Sequence, residues 1–90
     1  VPITREQAAT MMFRLATRLG ADSGKRAELG EFADYTAVSE YSAEALRWAV
    51  AEGLLRGYED ATLRPAANAT RAECATLMLR LVLLLSKQTN

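Results

Sequence analysis

One pattern of twelve residues occurs twice in this chain, and it constrains the fold more than any other feature. Thr4-Arg5-Glu6-Gln7-Ala8-Ala9-Thr10-Met11-Met12-Phe13-Arg14-Leu15 lies without a gap over Thr70-Arg71-Ala72-Glu73-Cys74-Ala75-Thr76-Leu77-Met78-Leu79-Arg80-Leu81. The spacing is 66 residues, and Thr, Arg, Ala, Thr, Met, Arg and Leu are identical in the two copies. Two segments written to one pattern imply two equivalent places in the fold.

Both copies read as amphipathic helices. Ala8, Met11, Met12, Leu15 and Leu19 recur at helical spacing, as do Cys74, Leu77, Met78, Leu81 and Leu85. Arg14 and Arg18 lie off the first stripe. Thr4 with Gln7, and Thr70 with Glu73, have the spacing of a capping box, in which a side chain and the backbone satisfy each other at the helix start. Gly20 suits the end of the first helix. The second runs to about Ser86 and becomes apolar on several sides. A third helix is expected between them, capped by Ser42, striped by Leu46, Ala49 and Val50, and closed by Gly53 with Leu54 folding back. Residues 21–31 read as a connector, Phe32 re-enters the core, and 37–41 suits one short helical turn. Gly57 to Pro65 reads as a turn or tight hairpin. No stretch supports a sheet, so the expected class is all-α, a small bundle of three main helices with short turns.

Composition excludes several functions. Eleven basic and eleven acidic residues cancel, which leaves no general basic stripe for nucleic acid. The absence of histidine removes Ser-His and Cys-His catalysis and the usual zinc sites. Cys74 has no partner for an internal disulfide and, standing where the first copy has Ala8, reads as a small core residue. No acid pair or metal-ligand spacing is evident, so neither catalysis, a cofactor nor a metal is expected. The longest apolar run, Leu81–Leu85, is far below the roughly 20 residues that span a membrane. Val1-Pro2-Ile3-Thr4 has no basic n-region of a signal peptide. Nine of the eleven basic residues are Arg, whose planar fork matches carboxylates and phosphates.

Five blocks in order carry a family resemblance: Phe32-Ala33-Asp34; Trp48-Ala49; Gly53-Leu54-Leu55-Arg56-Gly57-Tyr58; Asp60-Ala61-Thr62-Leu63-Arg64-Pro65; and Ala69-Thr70-Arg71-Ala72-Glu73. This layout resembles the S-layer homology repeat. Residues 32–86 correspond to one complete repeat, 1–20 to the closing helix of a preceding one, 21–31 to a linker and 87–90 to a tail. Ala61 stands where such repeats usually have Gly, so a positive φ there costs roughly 1 kcal/mol. Gln7 replaces the usual Glu, and the interval from Phe32 to Trp48 exceeds the common short form.

The resemblance implies a non-catalytic module at the bacterial cell surface or cell wall. Such repeats commonly pack in threes about a pseudo-threefold axis, and their grooves bind an acidic, often pyruvylated, secondary cell-wall polysaccharide. The T-R-A-E arginine is the family's main carboxylate contact and maps to Arg71 and Arg5. Trp48, Asp34, Tyr58 and Arg64 are the candidate groove lining.

The residues themselves give the two arginines a physical reading. Each occupies the first helical position, where a cation opposes the helix dipole at a cost of roughly 0.3–1 kcal/mol. Free amides and a guanidinium together form a two-pronged receiver for a carboxylate. The alternative is a pair with a nearby acid: Glu6, Glu73, Asp34 or Asp60. Trp48 either stacks on a sugar or fills the core. Tyr58 and Arg64 either rim a groove or pack within their turn. A second function stays open as well: a helical protein-interaction or self-assembly module that covers the apolar end of the last helix with neighbouring repeats or another copy.

Overall fold

The computed structural model describes residues 2–88, and among them it contains three α-helices and two 3₁₀ turns, with no strand. Helix α1 spans Arg5–Arg18, α2 spans Ala43–Ala51 and α3 spans Arg71–Gln88. The all-α class expected from the repeat is observed.

The predicted starts and stops follow the capping chemistry. Gln7 N donates to Thr4 Oγ1 (3.2 Å) while Thr4 N donates to Gln7 Oε1 (2.9 Å). The same reciprocal pair joins Thr70 and Glu73 at α3, at 3.0 and 2.9 Å. Helices α1 and α2 end in the same way. Gly20 and Gly53 adopt φ of 81° and 74°. Just beyond them, Ala21 N donates to Ala16 O (3.0 Å) and Leu54 N to Ala49 O (2.9 Å). Leu54 is thereby turned into the core.

The buried face of α1 differs from the expected stripe. Ala8, Ala9, Met12 and Ala16 are buried, whereas Met11, Leu15 and Leu19 are exposed. Small residues line the buried face because α1 packs chiefly against α2, whose Ala45 and Ala49 are buried too. On α3, Leu77 and Leu81 are buried but Met78 is exposed. Helix α2 inserts Leu46 and Trp48, both fully buried. Burial of Leu46 stabilises by about 1.5–3 kcal/mol, while Trp48 buries its Nε1 without a hydrogen-bond partner among the described residues, which offsets part of its gain. Phe13 of α1 lies against Trp48 with ring centroids 5.4 Å apart.

Other boundaries shift. The single turn expected over 37–41 is two 3₁₀ turns, Tyr35–Ala37 and Glu40–Ser42. Ser42 stands at the start of α2 but makes no side-chain cap, because its hydroxyl is used elsewhere. The connector 21–31 is strapped along α2: Ala27 N donates to Arg47 O, and Arg26 pairs with Glu44 at 2.7 Å. Helix α3 extends past Ser86 to include Lys87 and Gln88, so half of the expected tail is helical; residues 89–90 lie outside the described residues.

Candidate functional site

Arg5 begins α1 and is only 5% exposed, an unusual position for a guanidinium. Each of its three nitrogens donates a hydrogen bond. Nε donates to Leu63 O (2.8 Å), Nη2 to Arg56 O (2.9 Å), and Nη1 to Glu73 Oε2 (2.8 Å). The guanidinium also lies 4.6 Å from the centre of the Tyr58 ring. Of the acids that the sequence offered as partners, the structure selects Glu73.

Glu73 divides its two oxygens. Oε1 caps its own helix through Thr70 N, while Oε2 accepts from Arg5 and from the Tyr58 hydroxyl (3.2 Å). The Thr70 backbone N–H is the main cause of a carboxyl held below its ordinary value, and it outweighs burial, with the Thr70, Arg5 and Tyr58 side chains adding to it. Gln7, at the equivalent place in α1, offers one oxygen and has spent it on Thr4.

The backbone around Arg5 joins the same seam. Arg5 N donates to Ala67 O and Glu6 N to Pro65 O, so two orphan amides of α1 are satisfied by the loop before α3. Thr4 and Asn68 form an isolated antiparallel bridge, and Ala69 N donates to Ile3 O. Glu6 fixes the other side. Its Oε1 accepts from Ser39 N (2.9 Å) and Ser42 Oγ (2.7 Å), and its Oε2 from Ser39 Oγ (2.8 Å). Burial raises this carboxyl's pKa, but the hydrogen bonds from Ser39 and Ser42 prevail and lower it.

Beside Arg5 opens a cleft of about 290 Å³, lined by Arg5, Leu55, Arg56, Glu73, Thr76 and Arg80. Three guanidiniums face one carboxylate there. Arg80 Nη1 donates to Leu54 O (2.9 Å), leaving the rest of its fork available. The exposed Arg56 side chain has no hydrogen bond or ion pair among the described residues. The corresponding face of α1, Gln7, Thr10, Met11 and Arg14, borders a second cleft of about 400 Å³ with Tyr41.

Of the remaining candidates, Tyr58, Arg64 and Asp34 adjoin the Arg5 seam, whereas Trp48 and Arg71 lie away from it. Trp48 is fully buried in the core and lines no surface cleft, since the α2–α1 contact needs its volume. Asp34 closes the turn before α3, accepting Leu63 N (2.8 Å) and Arg64 N (2.9 Å). Burial raises its pKa, but these two bonds prevail and keep the carboxyl below the usual value. Arg64 lies 3.9 Å from the Tyr58 ring centre and pairs with Asp60 at 3.1 Å. Tyr58 is half-buried between these contacts and Glu73. Arg71 is exposed outside the cleft, with no hydrogen bond or ion pair from its side chain among the described residues.

Sequence reasoning missed Arg56 and Arg80, and it offered Glu6 as an arginine partner where the structure gives it to Ser39 and Ser42. Arg80 carried a signal, because it repeats Arg14 at the spacing of the whole pattern. The serine bonds of Glu6 carried no signal, because Ala72 stands at its equivalent place. Among the described residues no cluster of metal-ligating side chains occurs, and no helix is long and apolar enough to cross a membrane.

Comparison with known proteins gives a consistent picture. The chain is 39% identical over 77 residues to cell surface glycoprotein 1 of Acetivibrio thermocellus, a match covering 86% of this chain and 3% of that protein. The chain therefore corresponds to a small part of that relative's length. No solved structure matches it. Residues 31–75, half of the chain, match the S-layer homology domain, and with that match the chain belongs to the S-layer homology family.

Proposed function

We propose that this chain anchors the protein that carries it to the bacterial cell wall by holding an acidic, pyruvylated secondary wall polysaccharide in the cleft beside Arg5, without catalysis. Family membership supports the cell-surface anchoring role. The observation that carries the ligand class is the charge of the cleft: Arg5, Arg56 and Arg80 against Glu73 alone. Arg5 is committed to protein acceptors and acts as a fixed positive wall. Arg56 has a free fork that can take a carboxylate through two parallel bonds, and Arg80 stands across from it. A ketal-linked pyruvate supplies such a carboxylate on an otherwise neutral sugar.

The test is a pull-down on purified wall sacculi before and after chemical removal of pyruvate. Parent chain is expected to bind only the untreated wall, and an Arg56→Ala, Arg80→Ala double variant to lose that binding while keeping its helical circular dichroism. Equal binding to both walls, or by both chains, overturns the reading.

A second reading has its own observation. Between α1 and α3 runs an apolar groove of about 410 Å³, lined by Ile3, Met11, Leu15, Cys74, Leu77 and Met78. Exposed Leu79, Val82 and Leu83 extend the apolar surface along α3. This favours a helical interaction or self-assembly surface. Sedimentation across a concentration series checks it, and a monomer at every concentration rejects self-assembly.

A further inference from the structure

We infer that a second subsite adjoins the Arg5 cleft on the far side of Arg80, and that it takes a further acidic sugar of the same polymer. The inference rests on the polysaccharide reading above. Between the C-terminal ends of α2 and α3 lies a hollow of about 170 Å³, lined by Glu52, Arg56, Arg80, Leu83, Leu84 and Lys87. Arg56 and Arg80 also line the Arg5 cleft, so the two hollows share a wall. Along α3, Glu73, Arg80 and Lys87 recur every seven residues. That spacing is close to two helical turns, so the three lie on one face at steps of about 10 Å. The two hollows therefore follow one another along α3, with Arg80 between them.

The charges of this second hollow do not bond one another. Arg80 donates from one nitrogen to Leu54 O, and the side chains of Arg56 and Lys87 make no hydrogen bond or ion pair among the described residues. Glu52 supplies an independent observation. Its side chain is only 6% exposed, yet its carboxylate accepts no hydrogen bond among the described residues. Its charged neighbour there is Lys25, whose Nζ stands 3.7 Å away. A carboxylate so enclosed is costly to leave without donors. The hollow thus calls for two things at once: hydrogen-bond donors for Glu52 and an anion for Arg56, Arg80 and Lys87. Sulfate offers only the anion and is repelled by Glu52. An acidic sugar carries both, a hydroxyl that donates to Glu52 and a carboxylate for the cations, while Leu83 and Leu84 suit its ring carbons. The balance of charge agrees. Arg5 is paired with Glu73 and Lys25 with Glu52, which leaves Arg56, Arg80 and Lys87. One carboxylate bound beside Arg5 leaves cations over for a second.

The test separates the two hollows, because neither Lys87 nor Glu52 lines the Arg5 cleft. Intact wall polymer, and a fragment of it bearing a single carboxylate, are titrated into the chain by calorimetry, with affinities expressed per carboxylate. Lys87→Ala is expected to weaken binding of the polymer about tenfold, the size of one charge-assisted contact, and to leave binding of the fragment unchanged. Lys87 is exposed in the last turn of α3, so its replacement leaves the fold intact. Lys87→Arg keeps the charge and should keep the parent's affinity. Glu52→Gln removes the charge that turns away small anions, so sulfate at constant ionic strength should compete with the polymer more strongly in this variant than in the parent. Three results would overturn the second subsite while the Arg5 cleft stands: polymer and fragment bound equally by the parent, a Lys87→Ala effect that is absent or equal for both ligands, or equal competition by sulfate in Glu52→Gln and parent. A parent chain that binds neither polymer nor fragment would instead remove the polysaccharide reading, and this inference with it.

Discussion

Arg5 and Glu73 meet at 2.8 Å across the seam between α1 and α3, although 68 residues separate them in the chain. The pair is buried on the arginine side and part-exposed on the glutamate side. Removing the arginine leaves two carbonyls and a carboxylate without their donor. Arg5→Ala is expected to cost about 3 kcal/mol, toward the lower end for breaking a buried pair because Glu73 keeps some water. Arg5→Lys restores the charge but not the fork and should recover only part of the loss. Urea denaturation of the three proteins measures both; an Arg5→Ala midpoint equal to the parent's would show that the seam does not depend on this side chain.

The Glu6 carboxylate makes stability depend on acid. Burial alone would raise its pKa, but hydrogen bonds from Ser39 and Ser42 bring the folded value below the ordinary 4.5. The ionised form is thus favoured by folding. Its contribution is fully present above about pH 4.5 and is lost as pH falls through the lower folded value. Glu73 has the same sign, so the two add in the same window. Glu6→Gln should cost about 1.5–3 kcal/mol at neutral pH, the range for hydrogen bonds to a charged group. The difference from the parent should shrink as pH falls below about 4 in thermal melts; a pH-independent gap would contradict this account.

Ala61 adopts φ of 63° in the turn before α3, where its carbonyl accepts Ala33 N. A Cβ is disfavoured there and Gly is not. The side chain is exposed, so nothing is lost with it. Ala61→Gly is expected to stabilise by about 0.5 kcal/mol, after the greater freedom of Gly in the unfolded chain is deducted. In a domain of this size that raises the melting temperature by a few degrees, about 4–8 °C per kcal/mol. A lowered midpoint would show that the turn does not relax as expected.

Gly57 sits where a Cβ would lie 2.5 Å from Phe32 Cε1 and 3.1 Å from Thr62 O. Gly57→Ala therefore displaces the Phe32 ring against the turn and should cost about 1–3 kcal/mol, as overpacking does. Combined with Phe32→Ala, which removes the obstructing ring, its effect should be smaller than in the parent. A double-mutant cycle gives the difference directly, and simple additivity would locate the strain elsewhere.

The repeated cap, T-R-x-[QE], determined by itself where α1 and α3 begin, and Gly20 and Gly53 determined where α1 and α2 end. These are local events: a side chain meets the backbone three residues away, or a residue without a Cβ takes a positive φ. Helix class and the lack of strands among the described residues were legible for the same reason, whereas the positive φ of Ala61 was legible only through the family resemblance, which puts Gly at that place. The face that each helix buries was not. Met11 and Leu15 have the hydrophobicity of core residues, but α2 approaches α1 on its alanine side, and which side it takes depends on the partner rather than on the stripe. The fate of the two matched arginines was decided in the same way. Arg5 and Arg71 follow the same Thr in the same repeated pattern, yet one is enclosed by Leu63, Arg56 and Glu73 while the other faces solvent, because burial and pairing belong to the surroundings that the folded chain assembles from distant segments.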